Sequence, residues 1–436
     1  MSRGLPLHIG GMTLRALRRD GWVTALAVLT IGLGTAASMA MVAILHGISG
    51  DPLPGRSQQL FYPHLDASPT GFANETGLDP TEGFTWIDAR NLLQADEATH
   101  QAAMSAGRAT VVLDNGKARK RVHASGRFTS AGFFSMFGVP FVSGSGWSRV
   151  DDASRRRVVV LGRALSVRLF GSTDVVGHTL ALDDTQFTVI GVAADWAPRP
   201  LFYASSGNAM FGVEDQFFLP LTTALDLDMR TIGNMACWGP GSKTGDQCTW
   251  LQFWVQLAPG EVPRYSDFLA RYVEAQRHLG RSVRIPDDAP LLNVRQRLAQ
   301  VDVISDGLRV KLMLAFVFLA VCILNACGLM LAKFESRGAE VGLRRALGAS
   351  RKQIFVEHCL EGLAIGAGAA LLAAAASSAG LWLVRQADGD LSPFARLDGV
   401  TIASTLVLAV LASISAASVP AWNSCRVDPA VRLKDL

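Results

Sequence analysis

The sequence predicts a membrane protein with four transmembrane α-helices and a large α+β domain inserted between the first and the second. Three observations carry this. The 436 residues are 49% hydrophobic with a mean hydropathy of +0.26, too apolar for an ordinary soluble protein. The excess is gathered into four windows without Asp, Glu, Lys or Arg: Gly21 to Gly50, Leu312 to Ala332, Gly362 to Val384 and Gly399 to Cys425. Each is longer than the roughly 20 residues a helix needs to cross a bilayer core. Between the first two windows, residues 49–310 mix β-prone runs with helical periodicities at an ordinary density of charge.

Residues 1–20 form a basic head in which Leu14, Leu17 and several Arg suggest a helix lying at the inner membrane surface. The first span, residues 21–48, is much longer than the apolar core of a signal peptide and is expected to remain as an anchor. Asp51 to Pro80 turns to Pro, Gly, Ser and Asp and reads as irregular. Phe84 to Leu93 has helical spacing. Ala109 to Leu113 and Lys120 to Ala124 flank Asp114-Asn115-Gly116, a strong hairpin signal.

A short helix is expected over Ala131 to Phe137, a buried strand over Arg157 to Leu161, then a helix through Phe170. A second hairpin pairs Thr179 to Leu182 with Phe187 to Val192 around Asp183-Asp184. Phe202, Tyr203, Phe211, Phe217 and Phe218 suit a core better than a cofactor box. Phe253 to Leu257 reads as a strand and Tyr265 to Leu279 as an amphipathic helix. The domain is expected to have two lobes. From Leu291 to Leu308 apolar residues recur at spacings of three and four, predicting a continuous stalk helix over 290–310 that runs into the second span, 311–332.

Residues 333–361 form a charged link to the third span, 362–384; a short loop, 385–398, precedes the fourth span, 399–424, and the tail is 425–436. Lys/Arg crowd the head, the charged link and the tail, so both termini and that link are placed in the cytoplasm and the inserted domain outside. In the inserted domain acidic residues slightly outnumber basic ones, so the net charge of +4 comes from the membrane edges and nucleic acid is not an expected partner. The basic clusters Lys117 to Arg121 and Arg155 to Arg157 read as solvated strand edges rather than ligand sites.

The charged link carries Arg337, Glu340, Gly342, Arg344, Arg345, Gly348 and Arg351, with Val341, Leu343, Ala346, Leu347 and Ile354 between them. It can form a helix with one greasy and one basic face, either a docking element or an inert positive-inside loop. In the third span, Gly362, Gly366, Ala370, Ala374 and Ser378 recur every four residues, a small-residue seam suited to close packing within the bundle or across a dimer. Cys237 and Cys248, in the outside domain, are spaced for a disulfide in an oxidising compartment.

Catalytic machinery is not found. The apolar windows hold no ionisable residue apart from His46, with Asn325 as the main polar group, which argues against an intramembrane ion or proton path. Gly239 to Thr244 imitates a phosphate loop, but Ser242 stands where the glycine before the lysine belongs. No metal-ligand spacing or nucleophile–base set stands out.

In order and motif the chain resembles the MacB/FtsX-like permease family of ABC transporters. The resemblance rests on Arg337-Gly-Ala-Glu340-Val-Gly342-Leu-Arg344-Arg-Ala-Leu-Gly348-Ala-Ser-Arg351, continued by Gln353-Ile354 and Glu361, on Leu14-Arg-Ala-Leu-Arg18, on Phe133 to Gly138, Phe170-Gly171, Val176-Gly177 and Phe187 to Val192, and on the tail from Pro420 to Leu433. It implies a non-catalytic permease in the bacterial inner membrane, working as a homodimer or pseudo-dimer with a related permease. Its charged link would dock on an ABC ATPase encoded apart, which would hold the ATP and Mg; this chain would hold no cofactor. The expected cargo is a peptide, lipoprotein or other periplasmic molecule, with a periplasmic adaptor or lipoprotein as a further partner. The alternative is a membrane-anchored, FtsX-like regulator of a cell-wall hydrolase; a sensor without an ATPase fits four spans less well.

Overall fold

The structure, a computed structural model, describes residues 20–72, 79, 81, 83–114, 119–204, 214–240, 242–301, 306–386 and 399–426. It divides into two compact units, one of residues 1–49 with 304–436 and one of residues 50–303. The basic head, the Asn115-Gly116 turn, Phe211, most of the 385–398 loop and most of the tail lie outside the described residues.

In the inserted unit the chain runs through β1 (Leu60–Pro63), α2 (Trp86–Ala95), β2 (His100–Asp114), β3 (Arg119–Thr129), α3 (Gly132–Phe137), β4 (Phe141–Gly144), α4 (Arg149–Ala153), β5 (Val158–Gly162) and α5 (Arg163–Phe170). It continues with β6 (Thr179–Leu182), β7 (Thr185–Ala193), β8 (Phe217–Pro220), α6 (Leu221–Asp226), β9 (Thr231–Ile232), β10 (Ala236–Cys237), β11 (Cys248–Thr249), β12 (Gln252–Gln256), α7 (Val262–His278), β13 (Leu291–Asn293) and α8 (Val294–Gln300). Label α1 is kept for the first spanning helix, Gly21–Ser49.

Among the described residues one 11-stranded sheet runs through this unit in the order β13-β1-β12-β2-β3-β8-β5-β7-β4, with β6 and β9 added on β2. The expected two lobes are therefore two ends of one sheet, joined by the long β2–β3 hairpin, which pairs in unbroken register from Met104–Thr129 to Asp114–Arg119. The second hairpin turns at Asp183-Asp184 as its sequence predicts. Cys237 and Cys248 face each other across the small β10–β11 ribbon and are joined by a disulfide.

Aromatic residues fill the layer under the sheet. Phe202 packs edge-on to Trp254 at 5.0 Å, and Tyr203 stacks on Phe137 at 5.4 Å. Phe218 joins this cluster through Phe133 at 5.5 Å, and Phe217, on the opposite side of β8, is buried near Phe128, so these rings are core. At the other face, Thr85 caps α2 by accepting from the Asp88 N–H at 3.1 Å, and the buried Asp88 carboxylate takes both arms of Arg281, at 2.6 and 2.8 Å, with the Tyr272 hydroxyl of α7. One carboxylate thereby fixes α2 to α7 and satisfies charges that burial would otherwise penalise.

The continuous stalk expected from residue 290 is interrupted. Leu291 to Asn293 add to the sheet edge against β1, and α8 begins only at Val294, where Asn293 and Gln296 form a capping box. Strand pairing has overridden the helical spacing there; residues 302–305 lie outside the described residues.

Asp152 of α4 is buried enough for its carboxyl to be pushed up to about 6, although the Ala131 N–H and Trp147 Nε1 both donate to it. A folded-state value above the unfolded one means that the folded domain binds this proton more tightly. The contribution of Asp152 to stability is then greatest below about pH 4 and falls by up to about 3 kcal/mol as pH rises through 6. His64, held below its ordinary value by burial, acts in the opposite sense as pH falls below about 6.5. Comparing denaturant midpoints of wild type and Asp152→Asn isolates the Asp152 share: the variant should become relatively more stable as pH rises from 4.5 to 7. A constant difference would contradict this.

The second unit holds four helices long and apolar enough to cross a membrane: α1, α9 (Asp306–Glu335), α11 (Arg351–Gln386) and α12 (Gly399–Arg426), with the short α10 (Gly338–Ala346) between α9 and α11. Their shared core is Ala27 and Ile31 of α1, Ala326, Met330 and Phe334 of α9, Ile365 and Ala369 of α11, and the alanines 412, 416, 417 and 421 of α12. Small residues let the backbones close on one another. A Cβ at Gly362 would stand 2.7 Å from the Ala417 Cβ, and Ser413 donates to the Gly362 carbonyl at 2.6 Å.

The seam packs within the bundle over only part of its length. Gly362, Gly366 and Ala370 are buried, Ala374 is half-buried and Ser378 is exposed. A step of four residues overshoots the 3.6-residue turn by about 40°, so the row rotates out of the interface along the helix. The buried row continues instead through Ala369, Ala373 and Ser377, whose hydroxyl donates to the Ala36 carbonyl of α1 at 3.3 Å.

Candidate coupling site

The charged link is a helix–turn–helix. Arg337 stands at the N-cap of α10, and the helix ends at Leu347. Gly348 then takes φ +100°, a conformation that residues with side chains rarely adopt. Ser350 accepts from the Gln353 N–H at 3.2 Å, and α11 begins at Arg351. The third spanning helix thus starts eleven residues before the apolar window, and residues 351–361 belong to it rather than to a separate link.

Two of its basic residues pair with carboxylates of this unit. Arg337, 13% exposed, pairs with Glu361 of α11 at 3.4 Å and with Asp20 at the start of α1. Arg344 pairs with Glu340 at 2.5 Å and Glu357 at 3.2 Å. Gly342 is buried, Arg345 is half-buried and Arg351 is exposed. The leucines face out: Leu343 is 54% exposed and Leu347 81%. Helix α10 thus presents two bare leucines beside a partly exposed Arg344–Glu340 pair.

Beneath α10 lies a knot of buried charge that the apolar windows did not reveal. Lys333, near the end of α9, sits 2.5 Å from the Glu361 carboxylate, with side chains only 1% and 5% exposed. The Lys333 ammonium also donates to Thr24 of α1 at 2.7 Å. At this end the spanning helices therefore carry a mutually neutralised set of ionisable groups. Lys333, Glu361, Arg337 and Asp20 tie α1, α9, α10 and α11 at one level. Their sequence signal was positional: Asp20, Lys333 and Glu361 are the first charges beyond three apolar windows.

A family model described as a MacB-like periplasmic core domain matches residues 24–264, more than half of the chain. The chain belongs to the MacB/FtsX-like family of ABC transporter permeases. A second model, described as FtsX-like permease C-terminal, matches residues 312–429, which in this MacB-like permease contain α10 and the ends of the charge knot. The "Macrolide export ATP-binding/permease protein MacB" of Azoarcus sp. strain BH72 is 25% identical over 428 residues, covering 96% of this chain and 58% of that protein. The "Pyoverdine export ATP-binding/permease protein PvdT" of Pseudomonas entomophila strain L48 is 22% identical over 439 residues, covering 95% and 58%. The MacB-like permease chain thus spans a little over half the length of these relatives. The crystal structure of the periplasmic region of MacB from Actinobacillus actinomycetemcomitans aligns with 57% of this chain and 95% of that one, at 14% identity and a TM-score of 0.36.

Proposed function

We propose that this chain is the non-catalytic membrane subunit of an ABC transporter of the inner membrane, with both termini and α10 in the cytoplasm. Helix α10 docks on an ATP-hydrolysing partner that carries ATP and Mg. Binding and hydrolysis on that partner shift α10, the charge knot passes the shift to α1, α9 and α11, and the inserted domain moves as a mechanical relay on a periplasmic peptide, lipoprotein or other cargo.

The observation that supports this reading best is the pair of bare leucines on a short helix rooted in buried ion pairs. Exposed Leu on a rigid element suits burial against a partner, and the rooting makes that contact mechanically consequential. A second copy is supported by α9, the most apolar span at a mean hydropathy of 2.5, whose apolar window is only 17% buried against 39% to 50% for the others. Asn325 lies on its exposed side, where a polar group in lipid would gain from a neighbouring helix.

Reversing Arg344 and Arg345 to Glu tests the docking. In proteoliposomes with the partner ATPase, the double variant should lose ATPase stimulation and co-purification while inserting normally. Because Arg344 also pairs with Glu340 and Glu357, its thermal transition is measured alongside. Undiminished coupling in a stable variant sinks the role given to α10.

A further inference from the structure

The inserted domain contains a cavity of about 470 Å3 between α2, the start of β2, α4 and α6. One wall is apolar, made by Trp86 and Leu93 of α2 and Leu221 of α6. Three guanidinium groups line it. Arg149 is held by Asp96 through two hydrogen bonds, at 2.6 and 2.8 Å, and Arg155 by Asp226. Arg90 is exposed and makes no ion pair among the described residues.

Gln101 of β2 also lines the cavity and is only 4% exposed. Its Nε2 donates to the Leu93 carbonyl at 2.9 Å, while its Oε1 meets no donor. Buried acceptors are ordinarily satisfied, so this oxygen asks for an N–H or O–H from outside the chain. The Asp152 carboxylate is already engaged by the Ala131 N–H and Trp147 Nε1 and has no vacancy of that kind. Its negative charge, beside one uncommitted guanidinium, suits a monoanion better than a dianion.

We infer that this cavity binds a small amphipathic carboxylate with an N–H donor close to its acid group, the chemistry of a peptide C-terminus. Arg90 receives the carboxylate, for which a planar guanidinium is shaped. The Trp86, Leu93 and Leu221 wall takes the terminal side chain, and Gln101 Oε1 accepts from the amide N–H. The basic cluster at Arg155, read from sequence as a solvated edge, thus has one member at the rim of a binding site. The inference stands apart from the docking of α10, since it concerns the inserted domain and needs no ATPase.

Calorimetric titration of the full chain in detergent, corrected for empty micelles, with N-acetyl-leucyl-leucine and its C-terminal amide tests this. The acid should bind at least about tenfold more tightly than the amide, and Arg90→Ala, a surface change that leaves the thermal transition in place, should weaken the acid by about tenfold. Gln101→Leu should weaken acid and amide alike. Absence of saturable binding to wild type at millimolar acid, equal affinity for acid and amide, indifference to Arg90→Ala, or displacement of the peptide by equimolar inorganic phosphate would each overturn the assignment.

Discussion

Glu361→Ala is expected to cost the detergent-solubilised chain about 3–5 kcal/mol of stability. The substitution removes one carboxylate that serves two cations, leaving Lys333 without a counter-ion and Arg337 with one fewer. Lys333, 1% exposed at its side chain, keeps only the Thr24 hydroxyl, and Arg337 keeps only Asp20 of the two carboxylates it now shares. An ammonium buried at a helix end without its counter-ion carries a large desolvation cost. The double variant Lys333→Met with Glu361→Leu removes both members and should recover most of the loss, because hydrophobic replacement of a buried pair is often neutral. Thermal melts of the three proteins distinguish the cases; a single variant as stable as wild type would mean that the pair is solvated and the knot does not exist.

The second large effect is expected from Leu343→Asp combined with Leu347→Asp. Both side chains are bare in the chain alone, so their replacement should leave its own melting temperature nearly unchanged. Burying each Leu against a partner is worth about 1.5–3 kcal/mol, so losing both should weaken ATPase association by roughly two to four orders of magnitude. Quantitative pull-down against the purified partner reads this directly. A variant that binds as tightly as wild type would show that α10 presents nothing to the ATPase, whatever the arginine reversal does. The leucine pair is the cleaner probe, because Arg344 is engaged with Glu340 and Glu357 inside the chain.

Much of the architecture was legible because its signals are local. Charge-free windows mark spans, Asp-Asn-Gly marks a hairpin, and Phe133 to Phe137 turn their rings inward on a single short helix. The charged link was recognisable as a motif, but its ion pairs were not, since their partners lie far away in the chain: Arg337 meets Asp20 across 317 residues. The seam is buried in the bundle at Gly362, Gly366 and Ala370 and leaves it towards Ser378, because a four-residue row drifts about a helix of 3.6. The stalk failed because an edge strand was available to claim Leu291 to Asn293. Gln101, an unremarkable strand residue, has significance only through the cavity beside it.

The Lys333–Glu361 pair also imposes a timetable on biogenesis. The ribosome delivers Lys333 before Glu361 exists, whereas Asp20 and Thr24 are available from the start. Until α11 arrives, the newly made α9 holds an ammonium without its main counter-ion, best left among lipid headgroups. The Lys333–Glu361 contact can therefore form only after this part of α11 has been made, and α12, which joins through alanines and Ser413, follows it in the chain.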